Sequence, residues 1–329
     1  MKKLVSLVLA LVMVFSMSVI PAMADGLSVA IVVAGTLGDR SFYDSANEGL
    51  TRLVADYGVT PKVIECKEDG SLYESSLVSA AETCDVVVAV GWQFYDALDS
   101  GLAEEFPEVD FIFIDNELSG RGENLMSIIY AQNQGSFLVG YIAAKLTKTN
   151  KIGVVGGQDA DTINDFIVGY EAGAKYVNPD IVVERKYAET YEDPSKGLEL
   201  ANALYGSGCD IVFAVAGKTG EGVFESAAAT GNYAIGVDSD QKYINPNVII
   251  CSMVKDVGLS IYTTISDMEN KFMGGTTWCA DMATGYIGVA YGTDDMPQQV
   301  SDAIKAEVVD IAAKIISGEI VVPSALGRE

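Results

Sequence analysis

The sequence predicts an α/β protein of two doubly wound, Rossmann-like lobes with a ligand cleft between them. Three observations point that way. The segment Cys84–Gly91 (CDVVVAVG) returns, barely altered, as Cys209–Ala216 (CDIVFAVA). Its neighbours return with it: Ile31–Gly35 (IVVAG) is echoed by Val154–Gly157 (VVGG), and Phe111–Asp115 (FIFID) by Ala234–Asp238 (AIGVD). The offsets lie within a few residues of one another, so one β/α unit is used twice. Between these segments strand and helix signals alternate almost without a break, and the strands are short, rich in Val and Ile, and lack polar alternation. That is the pattern of a parallel sheet covered on both faces.

Taken in order, the first half predicts strands at 27–33, 62–66, 85–90, 110–114 and 126–130, with helices at 45–57, 73–83 and 96–105. The second half predicts strands at 151–155, 181–186, 210–215, 233–236 and 248–252, with helices at 164–176, 195–205 and 220–230. Two further helices, at 132–147 and 256–272, break the repeat and mark places where the chain crosses between lobes. A C-terminal piece reads as a strand at 286–290 and a helix from about 298 to 316, closed by Gly318. With no low-complexity linker, several short hinges are expected to join the lobes. The first lobe should comprise 25–131 plus about 254–295, and the second 132–253 plus about 296–329.

The N-terminus is not expected to belong to the fold. Lys2 and Lys3 form a charged start, residues 4–15 are apolar, and Ala22-Met23-Ala24 offers a small-x-small cleavage site. Residues 1–24 therefore read as a signal peptide, too short in its apolar part to span a membrane. The full chain of 329 residues carries a net charge of −25, and loss of Lys2 and Lys3 takes this to −27. Such a charge repels a phosphate backbone, so nucleic-acid polymers are not expected partners. The chain has no histidine, which excludes Ser-His-Asp triads, Cys-His dyads and histidine-containing zinc sites. Its five cysteines are scattered without a CxxC pair, as suits small buried hydrophobes better than a disulfide framework.

In doubly wound sheets ligands sit beyond the carboxyl ends of the strands. In the first lobe those ends carry 35–43 (GTLGDRSFY), 91–96 (GWQFYD) and Asp115-Asn116. In the second they carry 157–159, 217–224 (GKTGEGVF), 238–241 (DSDQ) and 253–255 (MVK). Aromatics, carboxylates, one lysine and glycines that admit close backbone approach suit a flat ring bearing hydroxyls. Taken singly, Phe42, Trp92 and Phe224 could each be ordinary core, and Lys255 a solvated lysine. Their positions at several strand ends favour a ring clamp. Two rival motifs fall short. The 217–224 stretch fails as a P-loop because Val212 stands where the opening glycine should be, and Glu225 replaces the last glycine of a dinucleotide fingerprint. Asp238 and Asp240 resemble half a calcium loop, but no further acidic ligand follows at suitable spacing, so no metal is expected.

These motifs resemble those of the basic membrane lipoprotein family of ABC-transporter substrate-binding proteins, whose best understood members are purine nucleoside receptors. The matching stretches are 38–43 (GDRSFY) with Glu48-Gly49, 137–144 (FLVGYIAA), 155–157, 169–175 (GYEAGAK) with Asn178-Pro179, 216–224, 235–241 (IGVDSDQ) and 252–255 (SMVK). They run in family order through the whole mature chain. The resemblance implies the type I periplasmic-binding-protein fold, with ligand held between lobes that close on it. It also implies roles: Asp39 hydrogen-bonds the base, Phe42 and Phe224 stack on it, and Asp238 and Lys255 anchor the ribose. Three departures stand out. Family members carry a cysteine just after the leader for lipid attachment, whereas here the first cysteine is Cys66, which favours free export over a lipid anchor. Tyr43 replaces an asparagine near the base, and Asp256 replaces an arginine after Lys255.

The expectation is a non-enzymatic, exported solute-binding protein without cofactor, a monomer that delivers a nucleoside, of the purine class, to an ABC permease and ATPase. Its ligand residues should be Asp39, Phe42, Tyr43, Trp92, Asp115, Phe224, Asp238 and Lys255. The alternatives are the same scaffold holding riboflavin or a free nucleobase, a ligand sensor without transport, and a nucleoside-cleaving enzyme. Cleavage needs a metal or a base tuned to neutral pH, and neither a histidine nor a carboxylate cluster supplies one.

Overall fold

The computed structural model describes residues 26–327, so the expected signal peptide at 1–24 lies outside the described residues. The first unit runs β1 (Ser28–Val33), α1 (Phe42–Tyr57), β2 (Thr60–Glu65), α2 (Tyr73–Ala81), β3 (Val86–Val90), α3 (Tyr95–Asp99), α4 (Leu102–Glu105), β4 (Asp110–Ile114) and β5 (Leu125–Tyr130). The second runs α5 (Gln132–Leu146), β6 (Lys151–Gly156), α6 (Asp161–Val177), β7 (Val182–Tyr187), α7 (Pro194–Gly206), β8 (Ile211–Val215), α8 (Gly220–Thr230), β9 (Tyr233–Asp238) and β10 (Ile249–Lys255). The chain then adds α9 (Val257–Ser266), α10 (Met268–Lys271), β11 (Thr277–Ala280), β12 (Ile287–Ala290) and α11 (Asp302–Ile316).

The sheet orders are β11-β5-β4-β3-β1-β2 and β12-β10-β9-β8-β6-β7. Without their last-added strands the two are identical in winding, each with a crossover reversal beside its first strand, where doubly wound sheets bind ligands. The central strands β1, β3 and β8 are buried along almost their whole length, as expected for parallel strands sandwiched between helices. The edge strands β2 (TPKVIE) and β7 (VVERKY) are only partly buried and carry charges and a proline, which suit an unpaired edge.

Small residues set the helix spacing. In the α5–α6 pair, Gly140 lies against the Tyr170 carbonyl, Gly169 against Asn133 and Gly173 against the Phe137 carbonyl, and a Cβ at any of the three would collide with backbone.

Within the described residues the chain passes between lobes at 131, at 256 and between 281 and 286. The last crossing corrects an expectation. The sequence places residues 254–295 in the first lobe, yet β12 belongs to the second sheet, pairing antiparallel with β10 from Ser252↔Ala290 to Lys255↔Ile287. The unexpected strand β11 pairs parallel with β5 and completes the first sheet, so the return across the hinge leaves β12 to cover the open edge of β10. β10 itself runs on to Lys255, two residues past the expected break at 253.

Candidate functional site

The carboxyl ends of the two sheets face each other across a cleft of about 500 Å³, counted out to its mouth. Asp39, Phe42, Tyr43, Trp92, Asp115, Asp238 and Lys255 all line it.

Lys255 ends β10 and is buried, with its ammonium 2.5 Å from Asp115 Oδ1 at the end of β4 in the other lobe. Three aromatic faces surround it: Phe42 and Tyr130 at 4.9 Å and Phe166 at 5.2 Å from the ring centroids. A cation so placed gains from ring quadrupoles as well as from its carboxylate. Asp238 Oδ2 accepts from Ser41 Oγ at 2.6 Å, again across the lobes. Burial pushes the Asp238 carboxyl up to about 6, although the Lys255 charge and the Ser41 hydrogen bond both pull it down.

Asp39 has a different first duty. Its carboxylate accepts from the backbone N–H groups of Ser41, Tyr43 and Asp44, each at 3.0 Å, and so closes the amino end of α1. Burial raises it to about 7 against those three donors. One acceptor position remains on Oδ2, and near neutral pH that oxygen can also carry a proton.

Phe224 is not in the cleft. A 3₁₀ turn at Gly217–Thr219 intervenes before α8, and α8 turns Phe224 into a buried cluster with Val155, Val212, Val223 and Ala227. Phe166 on α6 lines the cleft instead, with Ile163 one turn before it. Sequence reasoning also missed Gln93 and Tyr191. Phe166 and Ile163 belong to an apolar stripe on α6 that pattern alone cannot tell from core, and Tyr191 follows the edge strand β7, away from the central strand ends. Asp240 leaves the cleft: its carboxylate accepts from the N–H groups of Lys242 and Gly292, so it does not converge with Asp238.

The lobes touch directly at the mouth. Thr36 donates through its N–H and hydroxyl to the two Glu192 oxygens at 2.7 and 2.6 Å. The Thr190 hydroxyl and Tyr191 N–H donate to Glu68 at 2.7 and 2.8 Å. Gln241 Nε2 reaches the Arg40 carbonyl at 3.0 Å. Together with the Ser41–Asp238 and Asp115–Lys255 bonds, these hold the two lobes in a closed arrangement.

A two-lobed α/β fold closed over a buried cleft of aromatics and charges is the architecture of proteins that hold a small molecule between their lobes. Residues 27–325 match the family described as ABC transporter substrate-binding protein PnrA-like, and the chain belongs to that Bmp family. It is 35% identical over 322 residues to the ABC transporter nucleoside-binding protein BmpA of Lactococcus lactis subsp. cremoris, covering 91% of this chain and 89% of that one. It is 34% identical over 302 residues to basic membrane protein A1 of Borrelia garinii subsp. bavariensis, covering 90% and 88%. Among solved structures, a solute-binding protein of an ABC transporter system from Aeropyrum pernix superposes with a TM-score of 0.80 at 28% identity, covering 90% of this chain and 94% of that one. The family's members bind substrates for transport rather than transform them, which places their work on the extracytoplasmic side with a permease and ATPase as partners. Among the described residues no helix is long and apolar enough to cross a membrane.

Proposed function

We propose that the chain binds a nucleoside, of the purine class, between its lobes and hands it to an ABC importer. The observation that carries this reading is the buried trio Asp115–Lys255–Asp238 set beside the rings of Phe42 and Phe166. Two carboxylates and a lysine offer acceptors and a donor to vicinal hydroxyls, and aromatic faces stack on a flat base. The Lactococcus relative, named as nucleoside-binding, supports the same choice. In this reading Phe42 and Phe166 take the base, Asp238 and Lys255 take the sugar with Asp115 orienting the lysine, and Asp39 turns its remaining acceptor position toward the base.

Isothermal titration with ribonucleosides, free nucleobases and riboflavin tests it. Purine ribonucleosides should bind tightest, and a free base should lose the affinity that the sugar contacts supply. Riboflavin binding without nucleoside binding would overturn the reading. Release of free base during long incubation would overturn the non-catalytic assignment.

A further inference from the structure

Gln93 and Tyr191 bring two polar groups into the cleft that the protein itself leaves unsatisfied. Gln93 follows β3 in the first lobe, and its side chain folds back over Gly91, where the Oε1 atom occupies the space a Cβ would need. Gly91 has φ 125°, a conformation open to glycine, so the strand end is shaped to let the amide lie there. Buried as it is, Oε1 has no hydrogen-bond partner. Tyr191 enters from the second lobe. Its N–H is tied to Glu68, its carbonyl accepts from Thr219 N–H, and its ring packs on the bare Cα of Gly157. The Tyr191 hydroxyl is also buried without a conventional hydrogen bond, although the Trp92 side chain lies beside it. Burial keeps that hydroxyl protonated, so it can both donate and accept.

Leaving a buried polar atom unpaired costs about 1–3 kcal/mol, so a closed cleft with two such atoms is built for a ligand that satisfies them. In the first sheet β3 lies between β4, which carries Asp115, and β1; in the second β7 is the far edge from β10, which carries Lys255. Both groups line the same cleft as the Asp115–Lys255 bond, and the Tyr191 hydroxyl feels the charges of Asp115 and Asp238. A ligand anchored by its sugar at that bond would direct the edge of its base to Gln93 and Tyr191.

Resting on the nucleoside reading, we infer that Gln93, with Tyr191, reads the polar edge of the base and sets which ring the protein accepts. A carboxamide offers one donor and one acceptor side by side and pairs well with an exocyclic group next to a ring nitrogen. A site so built rejects rings that lack the partner group, because its own buried atoms are then stranded.

The test titrates adenosine, inosine and purine riboside, whose ring carries hydrogen where the others carry the exocyclic group. Wild-type protein should bind adenosine or inosine at least about tenfold tighter than purine riboside, one hydrogen bond's worth. Gln93→Met keeps the side-chain length and should abolish most of that difference while leaving purine riboside affinity within about threefold. Tyr191→Phe should narrow the discrimination in part. Discrimination unchanged in Gln93→Met, in a protein that melts as the wild type does, would overturn the inference while the nucleoside reading stands. No binding of any nucleoside to wild type would overturn both.

Discussion

Asp115 and Asp238 hold the same position in the two halves of the chain and both feel the charge of one lysine. Each stands at the carboxyl end of the fourth strand of its unit, and each has a left-handed backbone, with φ 81° and 64°. Aspartate tolerates that conformation better than most residues. Lys255 bonds to Asp115 at 2.5 Å and its charge acts on Asp238, so one cation serves two carboxylates. Removing it should be costly. Lys255→Met leaves two facing carboxylates without a buried cation, and breaking such a pair costs about 3–5 kcal/mol. Urea denaturation should show that loss, and Lys255→Met with Asp115→Leu should recover much of it. An unchanged midpoint in the single variant would show that the pair is energetically idle.

Phe166 and Phe224 make a matched contrast. Phe166→Ala should weaken a bound nucleoside by about 1–3 kcal/mol, roughly 5- to 150-fold, through lost stacking. Phe224→Ala should instead destabilise the second lobe by about 3–5 kcal/mol while the folded fraction binds as before. Calorimetry and thermal melting on both variants separate the effects. The reverse pattern would return Phe224 to the ligand.

Asp39 and Asp238 have folded-state carboxyls raised above the ordinary value of 3.8, to about 7 and about 6. The native state therefore binds more protons than the unfolded chain between about pH 4 and 7, and these groups stabilise the ligand-free protein progressively as pH falls through that window. The contribution is a few kcal/mol at most. Melting temperature should rise from pH 7.5 to 5, and less so in Asp238→Asn. Nucleoside affinity should move the other way, falling by up to about tenfold per unit below pH 6 as Asp238 loses its acceptor charge. A pH-independent affinity would remove Asp238 from the sugar.

The mouth bonds from Glu68 and Glu192 favour closure without touching the buried trio. Replacing both by alanine should shift the ligand-free protein toward an open form, because closed contacts are lost and open ones are not. Solution scattering should show a larger radius of gyration in the variant, restored by saturating nucleoside. An identical radius in both proteins would show that these bonds do not set the equilibrium.

Much of the site could be read from the chain because it sits at strand ends. A buried parallel strand announces itself by its apolar run, and a doubly wound sheet turns the carboxyl ends of its strands toward the cleft. Asp39, Phe42, Tyr43, Trp92, Asp115, Asp238 and Lys255 stand near such ends and line the cleft, and the internal repeat even pairs Asp115 with Asp238. Helical positions obey no such rule. Successive residues on a helix differ by about 100° in direction, so the 3₁₀ turn before α8 was enough to swing Phe224 into the core, while Phe166 looked like one more apolar residue in the stripe of α6.

What the sequence by itself determined was the winding of two equivalent sheets, the cleft between them and the chemical character of its floor, because apolar runs and their breaks are local. Only the tertiary structure decided which lobe received β12, which phenylalanine faced the cleft, and that Glu68, Tyr191 and Glu192, beyond the edge strands β2 and β7, join the lobes. Those outcomes depend on how two separately folded surfaces meet. Contacts of that kind join residues more than a hundred positions apart, and no local pattern encodes them.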